Sequence, residues 1–327
     1  MLKTVIVTNH HGERYELPLS NPEESGFLIK NITGMGPVNT SINTSSGALS
    51  PGEFFNSSKI QKRNIVIDLI YYPEGQTVEE LRLLAYRMFE VNTPIDVEFY
   101  TDHMAVVAHG YVESQEPTIF AEQCEVSISI LCPDPFLYAL GETQYSMSDL
   151  LKNFTFSFFN PDPLGETKTI EDTYYDGVYY DESTSVPDST LVFGTYDTSA
   201  MKTIHNKGNI SGVGLDIEIV IKDSGLSNFI FGNYTRDEML KLDDDMLGAI
   251  VPNGLQNGDV ITISSVRGKK SLIFKRLNQI LNILPAKVYN SDWIYLDSGD
   301  NDVYYSCDAG SETIDVTLRY TEGYAGV

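Results

Sequence analysis

Cysteine is scarce in this chain, three among 327 residues, and tryptophan occurs once. An odd, scattered set of three does not make a disulfide scaffold, and it fits folding in a reducing cytoplasm better than secretion. Basic residues are also short: 22 Lys and Arg stand against 46 Asp and Glu, a net charge of −24. Binding of nucleic acid needs concentrated Lys and Arg on the phosphates, so this balance argues against it and suits a soluble protein or an assembly component. No segment approaches the ~20 apolar residues of a membrane span, and the opening MLKTVIVTNHHGERYEL alternates where a signal peptide would run unbroken. GxSxG, P-loop and HExxH patterns are missing, and the five histidines, at 10, 11, 103, 109 and 205, lie far from any nucleophile arranged for a triad. Acid pairs abound without one standing out as a glycosidase pair. The expectation is a protein that is not an enzyme, with no catalytic residue, cofactor or metal assigned.

What is present is apolar and aromatic: 42% of residues are hydrophobic, with 20 Tyr and 15 Phe. That content supports folded, β-rich domains, and the length predicts two. The stretch AEQCEVSISILCPDPFLYAL places Cys124, Val126, Ile128, Ile130 and Cys132 on alternate positions, the pattern of a strand with one buried face. Eight residues at ~3.3 Å each set the two cysteine Cα atoms roughly 26 Å apart, far beyond the ~7 Å limit of a disulfide. Without a CxxC turn or matching His or Cys partners a metal site is also disfavoured, leaving small buried residues on a strand. Pro133 and Pro135 then end that strand.

The first 140 residues read as strands with one helix. TVIVTN and ERYELPL flank a hairpin turn at His11-Gly12, and RNIVIDLIYY, IDVEFY, AVVAHGYVESQEP and the cysteine strand follow. The helix is TVEELRLLAYRMFEV: Thr77 and Glu80 form a capping box, Leu81, Leu84, Ala85, Met88 and Phe89 a single stripe, and Pro94 is its expected end. Residues 31–58, rich in Gly, Ser, Thr and Asn, read as a long loop or arm with a short strand or two, for an intersubunit contact or a ligand.

Residues 141–200 change in composition, with IEDTYYDGVYYDESTS at their centre and a hairpin expected across Asp176-Gly177. From about 203 short alternating strands resume, among them GLDIEIVIK with Leu215, Ile217, Ile219 and Ile221 on one face. Such even spacing predicts an antiparallel sandwich, with KRLNQILNIL as a short helix. His10 and His11 precede a turn with Glu13 close by, which could hold a metal; a solvated loop is the preferred reading. KLDDDML and DSGDND resemble calcium loops but complete no EF-hand, so Asp297, Asp300 and Asp302 are read as turn formers. Trp293, with Tyr289 and Tyr295, could stack on a sugar. In DWIYL, however, both faces are apolar, which favours core or interface packing.

Several stretches in series resemble one family. NGDVITISSVRGKKSLIF followed by SDWIYLDSGDNDVYYSC is similar to the carboxy-terminal signature of the distal tail proteins of long-tailed bacteriophages that infect Gram-positive bacteria. KRNIVIDLIYY, the LRLLAYRMF helix and GYVESQEPTIFAEQCEVSISILCPDPF resemble that family's first domain. The signature positions are Cys132, Pro133, Asp134, Pro135, Gly258, Asp259, Gly268, Lys269, Trp293, Gly299 and Asn301. The resemblance implies a mainly β protein: a tail-tube-like β-barrel with one packed helix over 1–140, an acidic Tyr-rich linker or insertion over 141–200, and a galectin-like sandwich over 201–327. It implies a homo-hexameric ring at the distal end of the virion tail, assembled in the host cytoplasm, with DNA only passing through its lumen. Its implied partners are the tail tube protein, a tail-tip protein (tail-associated lysin or tail fibre), and a receptor-binding protein or cell-wall glycan, with no membrane. The competing reading is a carbohydrate-binding module contacting the host wall, with Tyr174, Tyr175, Tyr179 and Tyr180 as candidate contacts.

Overall fold

The computed structural model describes residues 1–47, 51–118, 124–147, 150–157, 190–196, 199–222, 226–308 and 314–327, with side chains for all of these outside 148–200. The amino-terminal part is built from β1 (Leu2–Thr8), β2 (Arg14–Pro18), a single turn α1 (Pro22–Ser25), β3 (Phe27–Thr33), β4 (Thr40–Ser46), β5 (Glu53–Ile60), β6 (Arg63–Tyr71), α2 (Val78–Met88), β7 (Pro94–Thr101), β8 (Ala105–Pro117), β9 (Glu125–Cys132) and β10 (Leu137–Ala139). Its main sheet is antiparallel, in the order β2-β1-β7-β8-β9-β6-β3. The period-2 patterns dictate its buried face: Ile65, Ile67, Leu69 and Tyr71 of β6 lie inward, as do Val126, Ile128, Ile130 and Cys132 of β9.

The helix α2 covers that face with Leu81, Ala85, Met88 and Phe89. Its capping box forms as expected, Thr77 N–H donating to Glu80 Oε2 at 2.8 Å and Glu80 N–H to Thr77 Oγ1 at 3.2 Å. The helix stops at Met88, earlier than Pro94, which opens β7 instead. The sheet curls until β2 and β3 approach one another, yet no ladder joins them among the described residues. The expected barrel is therefore open at this seam.

The carboxy-terminal part contains β11 (Thr143–Ser146), the mutually paired β12 (Leu150–Ser157) and β13 (Thr190–Tyr196), β14 (Ser199–Asn206), β15 (Val213–Ile221), β16 (Ile230–Asn233), β17 (Glu238–Lys241), α3 (Asp244–Ile250), β18 (Val260–Ser264), β19 (Ser271–Arg276), β20 (Gln279–Asn282), β21 (Tyr295–Leu296), β22 (Gly299–Ser306), β23 (Ile314–Tyr320) and β24 (Gly323–Tyr324). One antiparallel sheet runs β11-β23-β15-β18-β19-β20 and another β14-β22-β16-β17. Their inner faces share a core that holds Leu215, Ile217, Ile219 and Ile221 of β15 beside Phe231, Val303 and Leu318. KRLNQILNIL is not a helix: it is the β19–β20 hairpin, with Leu277 at φ 51° in the turn and Phe274 paired with Leu281. Leu281 and Ile283 are drawn toward the core while Ile280 and Leu284 stay exposed. That alternation has period two, and the leucine spacing alone mimics a helical stripe. KLDDDML is likewise a cap: Asp243 accepts from Met246 N–H at 3.0 Å and starts α3.

The chain end returns to the first core. β24 pairs with β10, and Tyr324 packs against the amino-terminal cluster. Beneath it lies Arg63, 1% exposed, the outermost of the inward residues of β6. Its guanidinium donates to four main-chain carbonyls: Pro135 O from Nε at 2.7 Å, Gly34 O and Gly36 O from Nη1, the latter at 2.9 Å, and Ala325 O from Nη2 at 2.6 Å. No carboxylate is among these partners, and burial pulls the Arg63 pKa down; the guanidinium still keeps its charge in a protein. Two glycines make the approach feasible. Gly34 adopts φ +84°, where a Cβ would collide with the Asn64 carbonyl, and a Cβ on Gly326 would meet Met35 O at 2.8 Å.

A second clip joins the β1–β2 hairpin to α2. Glu13 accepts from Arg87 Nε at 2.9 Å and from Nη2, from Tyr15 Oη at 2.7 Å and from Asn9 Nδ2 at 3.0 Å. These bonds, Arg87's first, hold its carboxyl at about 2.

Replacing Arg63 by Met should cost about 3 kcal/mol, because one buried and three partly buried carbonyls lose a charged donor together. Arg63→Lys should recover only part of this, since one ammonium lacks the planar fork. Urea unfolding measures both, and a Lys variant as stable as the parent would show that the fork geometry is irrelevant. For Glu13 the folded value lies below the ordinary 4.5, so its contribution is present above pH 4.5 and is lost as pH falls through about 2. Glu13→Gln should therefore flatten the acid limb of the stability profile between those values, and superimposable acid-unfolding curves would contradict this.

Candidate functional site

The most distinctive surface is the arm expected over 31–58. Residues 31–33 of that stretch belong instead to β3 in the main sheet, and the rest is a two-stranded antiparallel pair, β4 with β5, that joins no larger sheet among the described residues. Its base is fixed by Arg63 through Gly34 and Gly36 and by Gln61 N–H donating to Asn39 O at 3.0 Å. Beyond that base every described residue of both strands is exposed. Eight residues of strand reach roughly 25 Å. Ile42, Phe54 and Phe55 are 63%, 60% and 66% exposed. Opposed residues point to one side, so Ile60 opposite Thr40 shares a face with Ile42. A register shift between Asn43 and Thr44 puts Phe55, opposite Thr44, on that same face. An isolated hairpin is marginal in water, and one that displays three large apolar side chains on a single face is built to be covered.

The signature positions are turns and clamps. Asp134 receives Phe136 N–H at 3.2 Å and Tyr138 Oη at 2.7 Å, while Pro135 O takes the Arg63 Nε bond. Burial pushes the Cys132 thiol up to about 11, and all three cysteines are free. Gly258, at φ +87°, leads into Asp259, which is 1% exposed and receives Arg276 bidentately at 2.7 and 2.6 Å. Gly299, at φ +90°, precedes the buried Asn301, whose amide closes the loop by bonding Asp297 N–H and O at 2.8 Å each. The turn containing Gly268 and Lys269 crosses between the two parts. Lys269 is near enough to act electrostatically on His109, and Arg267 on Tyr138. His109 itself is held above the ordinary imidazole value, chiefly by its 2.6 Å bond to Asp96.

Asp297, Asp300 and Asp302 engage Arg236, His205 and Thr203, as turn formers with fixed partners. Trp293 is partly buried, with Lys270 and Lys287 over its ring at 5.5 and 5.6 Å, and Lys270 also stands 5.3 Å from the Tyr295 ring. These cations compete for ring surface on which a sugar would stack. Tyr174, Tyr175, Tyr179 and Tyr180, with the Asp176-Gly177 turn, lie outside the described residues. The sequence reading missed Arg63, Arg276 and Arg236. For Arg63 the signal was available: residues 63, 65, 67, 69 and 71 share one face, and an arginine on an inward face must find acceptors.

No protein-family model and no curated protein matches the sequence. Among solved structures, the crystal structure of the SPP1 Dit protein, a paradigm of hub adsorption apparatus in phages infecting Gram-positive bacteria, matches 98% of this chain and 99% of its own. The TM-score is 0.61 at 15% identity. Two structures of the phage P2 baseplate in its activated conformation also match. The one with calcium covers 100% of both chains at 12% identity and TM-score 0.48, and the one with strontium 99% of both at 10% and 0.45. At these identities the likeness is one of fold, and with the SPP1 protein it extends end to end.

Proposed function

We propose that this chain is a distal tail hub protein of a long-tailed bacteriophage, structural and not catalytic, with six copies closing into a ring around the DNA conduit. The observation that carries this reading is the end-to-end fold likeness to the SPP1 Dit hub protein, through both parts and in the same order. The first part forms the ring between the tail tube protein and a tail-tip protein, and the second part faces outward toward baseplate or receptor-binding partners. Two physical features support it. A ring closes through heterologous contacts, which need two different complementary surfaces, and the β4–β5 arm supplies one of them. A net charge of −24 suits a conduit through which phosphates pass without sticking.

Light scattering of the purified chain across a concentration series, with negative-stain images of each peak, tests the ring. Six chains of 36.5 kDa make a particle of about 219 kDa with a central hole. Changing Phe54 and Phe55 together to Ser should leave the monomer's circular dichroism and melting temperature unchanged, because neither residue touches a core, while depleting the ring peak at least tenfold. A ring population untouched by that change would remove the arm from the interface. A chain that stays monomeric even with its tail partners supplied would overturn the hub reading.

A further inference from the structure

The turn between β1 and β2 and the end of α2 converge on three ligand-bearing side chains. Sequence reading paired His10 and His11 with Glu13, but Glu13 is taken by Arg87, and the carboxylate facing the imidazoles is Glu90. His10 Nε2 lies 3.6 Å and His11 Nε2 3.8 Å from Glu90 Oε2, and one ligand atom from each residue falls within 4.8 Å of the others. We propose that His10, His11 and Glu90 form a binding site for one divalent transition-metal ion, with Zn2+ as its probe.

The distances match the chemistry. Metal–ligand bonds of ~2.0–2.1 Å in a tetrahedron set ligand atoms about 3.4 Å apart, so each His–Glu90 separation would have to shorten by only a few tenths of an ångström. The contacts are too long for hydrogen bonds, so hydrogen bonding does not account for the convergence. The two imidazole rings stand 3.7 Å apart, centroid to centroid, tilted by 42°. Two imidazoles with one carboxylate select zinc, nickel or copper over calcium or magnesium, which take oxygen cages. Three protein ligands leave a fourth position open to water.

Both ligand-bearing segments are held in place. The buried Asn9 accepts His11 N–H at 3.1 Å and Glu13 N–H at 3.0 Å on its side chain and Gly12 N–H at 2.9 Å on its carbonyl, while its amide donates to Arg87 O at 3.3 Å. That last bond reaches the final turn of α2, and Glu90 lies two residues beyond its end at Met88; Glu90 O in turn accepts from Thr93 Oγ1 at 2.7 Å. The site lies within one chain and does not rest on the hub reading.

The test is a calorimetric titration of Zn2+ into the metal-stripped, full-length protein, beside His11→Ala and Glu90→Gln. Both side chains are exposed and outside the cores, so the stripped variants should melt with the parent. The expected result is one Zn2+ per chain bound by the parent, a rise of about 5 °C in its melting temperature at saturation, and at least tenfold weaker binding in either variant. His205→Ala, which removes a histidine in the other part, should bind as the parent does. Parent-like Zn2+ binding by His11→Ala and Glu90→Gln, or no one-to-one binding by the parent, would overturn the site.

Discussion

The exposed β4–β5 arm, the exit of the cysteine strand and the chain end are all tied to one buried cation. Arg63 joins by its planar fork three stretches of chain: the root of the arm at Gly34 and Gly36, the exit of the cysteine strand at Pro135, and the chain end at Ala325. A neutral donor would give one bond and a lysine a single point charge; the guanidinium provides several donors in fixed directions without needing a carboxylate. Burying a charge this way is costly, and four carbonyl dipoles, three of them only partly buried, are what offset that cost. The arrangement is also selective, because it forms only when all three segments have arrived.

The two cores impose less. Each is an ordinary consequence of alternating strands, one roofed by α2 and the other closed by a second sheet; the first reaches the root of the arm through Met35 but neither includes a residue of β4 or β5. The contacts between the parts combine directional bonds, in the β24–β10 pairing, the turn at Lys269 near His109 and the Arg63 fork, with apolar packing of Tyr324 on the first core and Phe136 on the second.

How much of this was legible follows from which interactions are local. The period-2 strands, the Thr77–Glu80 box and the buried cysteine face could be read because neighbours in sequence determine them. The β19–β20 hairpin was misread because Leu277, Leu281 and Leu284 satisfy a helical spacing while Phe274–Leu281 pairing, a tertiary contact, decides the outcome. The open seam between β2 and β3 depends on curvature that no window of sequence contains. Signature glycines and Asp259 were singled out by resemblance, but the Arg276 fork and the Asn301 knot that explain them join residues 17 and 4 positions apart through folded turns. Glu90 was invisible beside His10 and His11 because it stands 80 positions from one and 79 from the other; only the α2 clip brings it there.

The arm shows why a rigid root matters more than a strong one. At a reach of roughly 25 Å, a tilt of about 10° at the base displaces the tip by about 4 Å, close to the spacing between neighbouring strands. In the ring proposed above the arm's contact would repeat in every copy, each adding its own error, and a root held by one flexible bond would not bring the last subunit into register with the first. Arg63, with two bonds to the arm and two to the rest of the protein, removes that freedom before any partner is met. The exposed Ile42, Phe55 and Ile60 then have only to be covered, and the ordering has been completed within the single chain.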